Sequence, residues 1–328
     1  MPPVDSARWT TTLTASYLAI TAGLIAILGH AVPGRGWLVA LHLALCAALL
    51  VLNRARPQAG ILRVMGDWHP LMLFPFLYKE VELLAAGIGD WRLTAVIPGW
   101  EAALFAGQPS RYLSERLAFV PLSEYLHFCY LAHVVTIPAL AAYWYLSGRR
   151  TAFGELVLLL AAVMLGSYLF FILLPVDSPY YLSQRLGPPL SGHFFFDLVH
   201  QMSARGGARG GAFPSAHASG ALVVTLVAWR HQRRLACGLV PITAGVIIAT
   251  VYGRFHYALD AIAGAVLALA VVVAYRYLGG RPGRRQTAAI TGSAQWKVAP
   301  PSGLFSARIF PPWALTIERL MASPRPRP

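Results

Sequence analysis

Charged residues are scarce in this sequence. Asp, Glu, Lys and Arg make up 12% of its 328 residues, which is about half the share found in an ordinary soluble protein. Hydrophobic residues make up 57%, and the mean hydropathy is +0.56. So few charges cannot cover a soluble globule of this size, and so apolar a chain is not intrinsically disordered. The composition therefore predicts an integral membrane protein.

Cysteine and acidic residues are also few. The three cysteines, Cys46, Cys129 and Cys237, lie in or beside apolar runs and cannot form a disulfide framework. Asp and Glu number 13 against 27 Lys and Arg, which gives a formal net charge of +14. A basic excess is typical of the cytoplasmic loops of membrane proteins. We prefer that explanation to nucleic-acid binding and predict no nucleic-acid partner.

Long apolar runs are abundant. A transmembrane helix needs about 20 predominantly apolar residues, and the sequence offers about eight such runs. They lie at residues 13–32, 36–52, 68–89, 117–146, 151–174, 213–229, 236–253 and 256–278. The sequence thus predicts an all-α, polytopic membrane helical bundle of about eight transmembrane helices.

The chain divides into three predicted regions. Residues 1–150 hold about four N-terminal membrane spans, and residues 151–278 form a second helical region in which the polar motifs are concentrated. Residues 279–328 are a basic tail rich in Pro, Arg and Ser, which we predict to be mostly disordered. Within the tail, residues 304–321 are mildly apolar and are predicted to lie on the membrane surface.

Basic residues predict the orientation, because they follow the even-numbered spans. Lys and Arg favour the cytoplasmic side of a membrane, so both termini are predicted to be cytoplasmic in a multi-pass protein of the cell (inner) membrane. Two long loops, residues 90–116 and 175–212, then lie on the extracytoplasmic side. The residues that set this orientation are Arg54, Arg56, Arg63, Arg149, Arg150, Arg230, Arg233, Arg234, Arg276, Arg281, Arg284 and Arg285.

A predicted helix start with a histidine in its first turn follows the second long loop. Residues 211–217 are GAFPSAH. Pro214 is favoured at the first position of a helix, and the small residues before it let a ligand approach the backbone. Ser215 lies where free N–H groups and the positive helix end bind anions. His217 would then lie beside a bound anion; the alternative is an ordinary helix start with an interfacial histidine.

Residues 252–260, YGRFHYALD, carry a second histidine at the start of the last span. His256 and Asp260 are four residues apart and therefore share one face of a helix. A carboxylate can hold one imidazole nitrogen and leave the other free as a base or nucleophile. Arg254 can direct its guanidinium at phosphate oxygens. Since spans 6 and 8 both run inward, His217 and His256 are predicted at the same outer membrane face.

A third polar cluster lies in the predicted third span. Lys79 and Glu82 can neutralise each other there, and Glu80 needs another partner, such as His127 or His133. A transporter would use such residues as a proton or ion relay. We favour the alternative of a buried polar network that joins helices.

A metal site is a further alternative. His193, Asp197 and His200 would share a face if their loop were helical, but an amphipathic loop helix explains the pattern equally well. The sequence has no Walker-type loop and no Cys-rich metal motif. We therefore predict no metal and no cofactor.

Residues 213–217, FPSAH, and 254–260, RFHYALD, resemble the second and third signatures of the type 2 phosphatidic acid phosphatase superfamily. The His-Tyr pair with a nearby Asp is most similar to the inositol phosphorylceramide synthase-like (inositolphosphotransferase) branch. The resemblance covers roughly residues 150–278. It implies that residues 151–278 form a lipid-phosphatase-like catalytic core.

The resemblance also implies a role for each matching residue. His256 would attack phosphorus and form a phosphohistidine, with Asp260 orienting its ring. His217 would protonate the leaving oxygen and then activate the incoming water or alcohol. Ser215 would bind a phosphate oxygen through its hydroxyl and N–H, and Arg254 would supply positive charge. Positioning and charge neutralisation are the main demands of phosphoryl transfer.

The sequence departs from the family pattern twice. The third signature usually has an Arg six residues before the nucleophile, where this chain has Thr250, and Arg254 is the expected substitute. The first signature, a Lys followed by a distant Arg-Pro, is missing, and residues 174–181, LPVDSPYY, occupy its place. At least one other cation is expected to bind the phosphate, and the candidates are Arg185, Arg205 and Arg209.

The function implied by the resemblance is hydrolysis of a phosphomonoester or diphosphate of a lipid, through a phosphohistidine at the extracytoplasmic face. One alternative is a phosphotransferase that passes a phosphoryl headgroup to an alcohol acceptor. Another is a transporter or structural membrane protein whose motif has decayed; the missing first signature favours decay, whereas the intact His217, His256 and Asp260 argue against it. The predicted partners are a lipid phosphate and the bilayer, and the oligomeric state is left open.

Overall fold

The computed structural model describes residues 5–55, 59–182 and 190–279, together with the backbone of two short strands in the tail. The chain divides into two compact units, Met1–Pro282 and Gly283–Pro328. In the second unit, β1 (Trp296–Lys297) pairs with β2 (Ala307–Arg308) in antiparallel register. The predictions of a disordered tail and of a surface segment at residues 304–321 otherwise lie outside the described residues.

The first unit is helical, which confirms the predicted all-α membrane bundle. The described helices are α1 (Ser6–Leu28), α2 (Arg35–Ala55), α3 (Gly60–Ile88), α4 (Arg92–Phe105), α5 (Pro109–Arg116), α6 (Val120–Leu146), α7 (Arg150–Leu173), α8 (Pro179–Leu182), α9 (Phe194–Gly206), α10 (Ala216–His231), α11 (Arg233–Tyr252) and α12 (Ala258–Tyr277).

Among the described helices, six are long and apolar enough to cross a membrane: α1, α2, α6, α7, α11 and α12. The other two predicted spans correspond to α3 and α10. Helix α3 carries Asp67, Lys79, Glu80 and Glu82 along its length. Helix α10 has only 16 residues, or about 24 Å of helix at 1.5 Å per residue. Helices α3 and α10 are not among the helices that qualify as membrane spans by length and composition. Whether they count toward the predicted eight spans therefore depends on their position in the bundle.

Contacts at one end of the bundle, here called the arginine end, join the starts and ends of several helices. Arg150 Nη1 at the start of α7 lies 3.5 Å from Asp67 Oδ2 near the start of α3. Arg230 Nη1 at the end of α10 lies 3.0 Å from Glu155 Oε1 in the first turns of α7. Helices α3 and α7 therefore begin at the end of the bundle where α10 finishes.

Contacts at the opposite end, here called the loop end, complete the directions. The N–H of Asp90, just after α3, donates to Leu173 O at the end of α7 (2.9 Å). The N–H of Ser215, just before α10, donates to Asp260 O in the first turn of α12 (2.9 Å). Helices α3 and α10 therefore extend from one end of the bundle to the other, alongside the longer apolar helices.

Helix α7 forms the centre of this arrangement. It packs against α1, α3, α6, α10 and α12, and 16 of its 24 residues are buried. Helix α2 is peripheral, since only His42 and Leu49 of its residues are buried. Its exposed apolar side chains, such as Trp37 and Val51, are typical of a face that contacts lipid. The long loops, with α4, α5, α8 and α9, gather at the loop end.

Candidate active site

The loop before α10 is held against the loop after α7 by backbone hydrogen bonds. The N–H of Val176 donates to Gly210 O, and the N–H of Ala212 donates to Val176 O, both at 3.0 Å. Residues 174–181, which stand in place of the missing first signature, therefore lie directly beside the chain that leads into α10. This pairing could not be predicted, because neither stretch has an alternating strand pattern.

Ser215 begins α10 as its N-cap. Its Oγ accepts from the N–H of Ala218 at 3.3 Å, its own N–H donates to Asp260 O, and its side chain is fully buried. Its N–H as a donor and its Oγ as an acceptor are thus engaged within the protein, so Ser215 fixes the start of the helix. The first-turn N–H groups of Ala216 and His217 have no intrahelical acceptor, and both residues line a cavity.

That cavity, of about 60 Å³, lies at the loop end between α3, α6, the loops and α10. It has room for a few water molecules or a small polar group. Its walls are rich in hydroxyl groups from four tyrosines and two serines. The side chains that matter most for the chemistry are Tyr78, Tyr130, Tyr180, Tyr181, His217 and His256.

His256 lies in the turn between α11 and α12. Its N–H donates to Thr250 O (2.9 Å), and its Nδ1 lies 2.8 Å from Ala212 O. A carbonyl oxygen only accepts, so Nδ1 carries the hydrogen and Nε2 is left with its lone pair. Burial lowers the pKa of His256 to about 4, which keeps the ring neutral near pH 7. These are the properties of a nitrogen nucleophile.

Asp260 is also fully buried, but it is not the closest partner of His256. Its Oδ2 is 3.5 Å from His256 Nδ1 and accepts from the N–H of Tyr257 at 2.8 Å. The carbonyl of Ala212 takes the hydrogen bond that the i, i+4 spacing assigned to Asp260. A backbone carbonyl from another loop leaves no signal in the sequence, so the contact could not be predicted.

The two histidines come together from different helices. The ring centroids of His217 and His256 are 5.8 Å apart at an angle of 61°. Tyr130 of α6 stacks on His217 with a centroid distance of 4.6 Å, and His133 lies 6.1 Å from His217 on the other side. His217 and His256 therefore border one cavity. Aromatic packing fixes the orientation of the His217 ring.

Arg254 has a different environment from the one that its position in the motif suggests. Its backbone has φ +62°, and its guanidinium extends toward α5. Nε donates to Ser114 Oγ at 2.9 Å, and Nη2 lies 3.9 Å from Glu115 Oε1. Arg254 is buried and does not line the cavity. In this arrangement it ties the turn that carries His256 to α5.

Arg209 lies close to the cavity wall. Its guanidinium forms an ion pair with Asp177, and its Cζ is 5.6 Å from the centroid of the Tyr181 ring. The Asp177 carboxylate also accepts from the N–H of Gly210 at 3.2 Å and raises the pKa of Arg209. Of the two other candidate cations, Arg205 lies at the end of α9, and Arg185 lies outside the described residues.

The polar cluster of the third span is divided between two neighbourhoods. Glu80 Oε2 lies 3.2 Å from His42 Nε2 of α2, so its partner is neither His127 nor His133. Lys79 donates from Nζ to Arg205 O at 3.3 Å. The suggested partners were wrong because the sequence does not tell which helix packs on which face of α3.

The proposed metal-binding face has no support in the structure. Within the described part of the chain, no three His, Cys, Asp or Glu side chains come together as a group able to hold a metal ion. The loop segment is helical, as α9, but His200 donates from Nδ1 to Phe196 O (2.9 Å) and packs 5.2 Å from the ring of His127.

Two contributors to the site were missed in the sequence. Tyr130, which stacks on His217, belongs to an apolar run in which an aromatic residue is unremarkable. Glu101 of α4 is fully buried, and its Oε1 accepts from the N–H of Ala258, the first residue of α12. A single Glu in a long loop has no sequence pattern that distinguishes it from an exposed one.

Fold and site together define a helical membrane protein in which two histidines from different helix starts border one cavity. A family model for the PAP2 superfamily matches residues 100–274, more than half of the chain. The chain belongs to the PAP2 superfamily. The match starts well before residue 150, where the motif-based resemblance began, and takes in α5 and α6. No curated protein and no solved structure gave a match.

Proposed function

We propose that this protein is a membrane-embedded phosphatase that hydrolyses a phosphomonoester or diphosphate of a lipid through a phosphohistidine. The observation that carries the proposal is the approach of His217 and His256 to within 5.8 Å, centroid to centroid, on the wall of one cavity. Membership of the PAP2 superfamily supports a phosphatase or phosphotransferase acting on lipid phosphates. The two helix starts supply the opposed nucleophile and acid that two-step phosphoryl transfer requires.

In the first step, the lone pair of His256 Nε2 attacks phosphorus, an N–P bond forms, and the P–O bond to the lipid breaks. The ring of His217, which takes up a proton when the phosphate anion binds beside it, gives that proton to the leaving oxygen. In the second step, His217 takes a proton from water as the water oxygen bonds to phosphorus and the N–P bond breaks. The Ala212 carbonyl, 2.8 Å from His256 Nδ1, stabilises the positive charge on the ring of the intermediate.

The phosphate oxygens need donors around this line of attack. The free N–H groups of Ala216 and His217 at the start of α10 provide a helix N-terminus for an anion. Arg209 can add charge by exchanging part of its pairing with Asp177 for the phosphate, and we also retain Arg185 as a phosphate ligand. Arg254 is assigned a supporting role, since its guanidinium binds Ser114. These residues replace the missing first signature.

We further propose that the arginine end is cytoplasmic. Arg149, Arg150, Arg230 and Arg233 lie at helix boundaries at that end, as the positive-inside rule expects. Both termini of the helical bundle would then be cytoplasmic, the cavity extracytoplasmic, and the membrane the cell (inner) membrane. A lipid phosphate of the outer leaflet would reach the site from the headgroup region.

A second candidate function is phosphotransfer to an alcohol, as in the inositol phosphorylceramide synthase-like branch. The observation that favours it is the number of hydroxyl groups in the cavity wall, among them Ser178, Ser203 and Tyr181. Hydroxyl groups recognise a polyhydroxylated acceptor through hydrogen bonds in both directions. The chemistry is unchanged, since His217 would activate the alcohol in place of water.

The test uses the purified full-length chain in detergent with a panel of lipid phosphates and diphosphates. Release of free phosphate supports hydrolysis, whereas its suppression by inositol or glycerol with formation of a new ester supports transfer. Acid-labile phosphate should be trapped on the wild type and never on His256→Ala. Covalent label on His256→Ala would overturn the assignment of the nucleophile.

Two further measurements separate the remaining alternatives. EDTA should leave the activity unchanged, because histidines and arginines supply the acid, the nucleophile and the charge; complete loss would favour a metal site. Solute movement into liposomes without any release of phosphate would favour a transporter.

A further inference from the structure

The turn that carries His256 is attached to α4 through a buried carboxylate. Glu101 has no exposed surface, and its Oε1 accepts from the N–H of Ala258. The N–H of Leu259 is also near enough to lower the pKa of this carboxylate. These are the first two residues of α12, whose N–H groups have no acceptor within the helix. Glu101 therefore caps α12 from outside the helix.

The capped residues follow the nucleophile directly. His256 is two positions before Ala258, and Asp260 binds the N–H of Tyr257 between them (2.8 Å). Two carboxylates from α4 and α12 thus fix the backbone of residues 257–259. The other side of the turn is fixed by the bond of His256 to Thr250 O. Any movement of the α12 start shifts the imidazole relative to the Ala212 carbonyl and to His217.

The burial of Glu101 is costly, which argues for a specific role. Its Oε2 is buried and has no hydrogen-bond partner among the described residues, and the same holds for Asp260 Oδ1. Burying a carboxylate costs free energy unless it is fully hydrogen-bonded. A helix end can be capped by Ser, Thr, Asn or Asp at its own N-cap without that cost, but α12 has Tyr257 at this position.

We propose that Glu101 is a positioning residue for His256: it holds the first turn of α12 so that the imidazole faces His217 across the cavity. The proposal rests on the function proposed above. Glu101 lies within residues 1–150, the region predicted to hold the N-terminal membrane spans. It therefore adds α4 to the elements that position the nucleophile. It does not line the cavity.

The test compares Glu101→Ala with Glu101→Gln in the full-length protein. Alanine removes the acceptor, and a displaced nucleophile should lower kcat by about tenfold to a hundredfold with little change in KM. Glutamine keeps a side-chain oxygen and should restore most of the lost kcat. Asp90→Asn is the matched control, because Asp90 forms an exposed ion pair with Arg92 at the same end of the bundle and should retain wild-type kcat.

A readout independent of turnover is the ring NMR signal of His256 in protein labelled with ¹⁵N-histidine, assigned by comparison with His256→Gln. The signal should shift in Glu101→Ala and return in Glu101→Gln. Inactivity of the wild type on every phosphate, with this NMR pattern intact, would remove the proposed function and keep the positioning role. Wild-type kcat and an unmoved His256 signal in folded Glu101→Ala would overturn the positioning role. Equal losses of kcat in the Ala and Gln variants would also overturn it.

Discussion

Histidine–carboxylate pairs occur in both halves of the described chain, and two of them can be compared directly. In the first half, His42 Nε2 of α2 lies 3.2 Å from Glu80 Oε2 of α3. In the second half, His256 Nδ1 lies 3.5 Å from Asp260 Oδ2. The exposed fractions of His42 and His256 are 2% and 4%. By distance alone, the pair in the first half is the better formed.

The surroundings of the two pairs differ. His256 borders a cavity and faces a second histidine, whereas His42 does not line that cavity and directs its Nδ1 to Leu38 O at 2.9 Å. Residues 1–99, which include His42 and Glu80, also lie outside the PAP2 match. Of these two pairs, only the one in the second half therefore adjoins both a second histidine and a cavity. The pair in the first half is assigned to helix packing.

The largest expected difference is between His256→Gln and His42→Gln. Losing the nucleophile should lower phosphate release by about 10⁴-fold or more. Glutamine in place of His42 still offers an N–H to Glu80, so activity should stay within about threefold of the wild type. Phosphate release by the purified variants in detergent measures both. Loss of activity in folded His42→Gln would show that the His42–Glu80 pair takes part in the chemistry.

Substitutions of the two carboxylates, Asp260 and Glu80, should differ less in their effect on kcat. Asp260→Asn keeps an oxygen for the N–H of Tyr257 but loses the negative charge near His256, and kcat should fall about 100-fold. Glu80→Gln should leave kcat within about threefold. Thermal melting in detergent verifies that each variant is folded. Similar losses in the two variants would remove the distinction between the pairs.

A pH effect on stability should come from Glu101, which caps the helix that begins beside His256. Burial and the charge of Asp260 raise the pKa of Glu101 from 4.5 to about 7, and Tyr257 is the other titratable group near this carboxylate. Because the folded pKa is higher, the unfolding free energy of the wild type should fall between pH 4.5 and 7, by up to about 3 kcal/mol, and stay level above pH 7.

Glu101→Gln removes this contribution, since an amide does not ionise. The melting temperature of the wild type, relative to that of Glu101→Gln, should therefore fall from pH 5 to pH 7.5 and then stay constant. Parallel curves for the two proteins across that range would contradict the raised pKa.

The smallest expected effect concerns the cations at the loop end. Arg209 and Arg92 each pair with an aspartate there, but only Arg209 lies against a residue of the cavity wall. Arg209→Gln should raise KM about tenfold with kcat nearly unchanged, and Arg92→Gln should change neither. Initial rates over a range of lipid phosphate concentrations measure both constants. An unchanged KM in Arg209→Gln would show that Arg209 does not bind the lipid phosphate.

Much of the fold could be predicted, because hydrophobic runs of membrane length leave few alternatives to a helix bundle. Helices α7, α11 and α12 closely follow their predicted spans. The chain could also be recognised from residues 213–217 and 254–260, since both stretches combine a helix start with a histidine. The hydrogen-bond partner of His256 was assigned to Asp260, whereas Ala212 O is closer, and Glu80 was paired with the wrong helix. The two contacts that were missed, His256 with Ala212 and Glu80 with His42, join segments far apart in the chain.

The amino-acid sequence by itself determined that the chain is a helical membrane protein, which segments are apolar, and which two histidines begin helices at the same end. These properties follow from composition, run length and local helix chemistry. Only the tertiary structure decided that Ala212 orients His256, that Tyr130 stacks on His217, that Arg254 faces Ser114 and that Glu101 caps α12. Each of these contacts joins residues from separate helices or loops, and the packing of the bundle sets the distance between them.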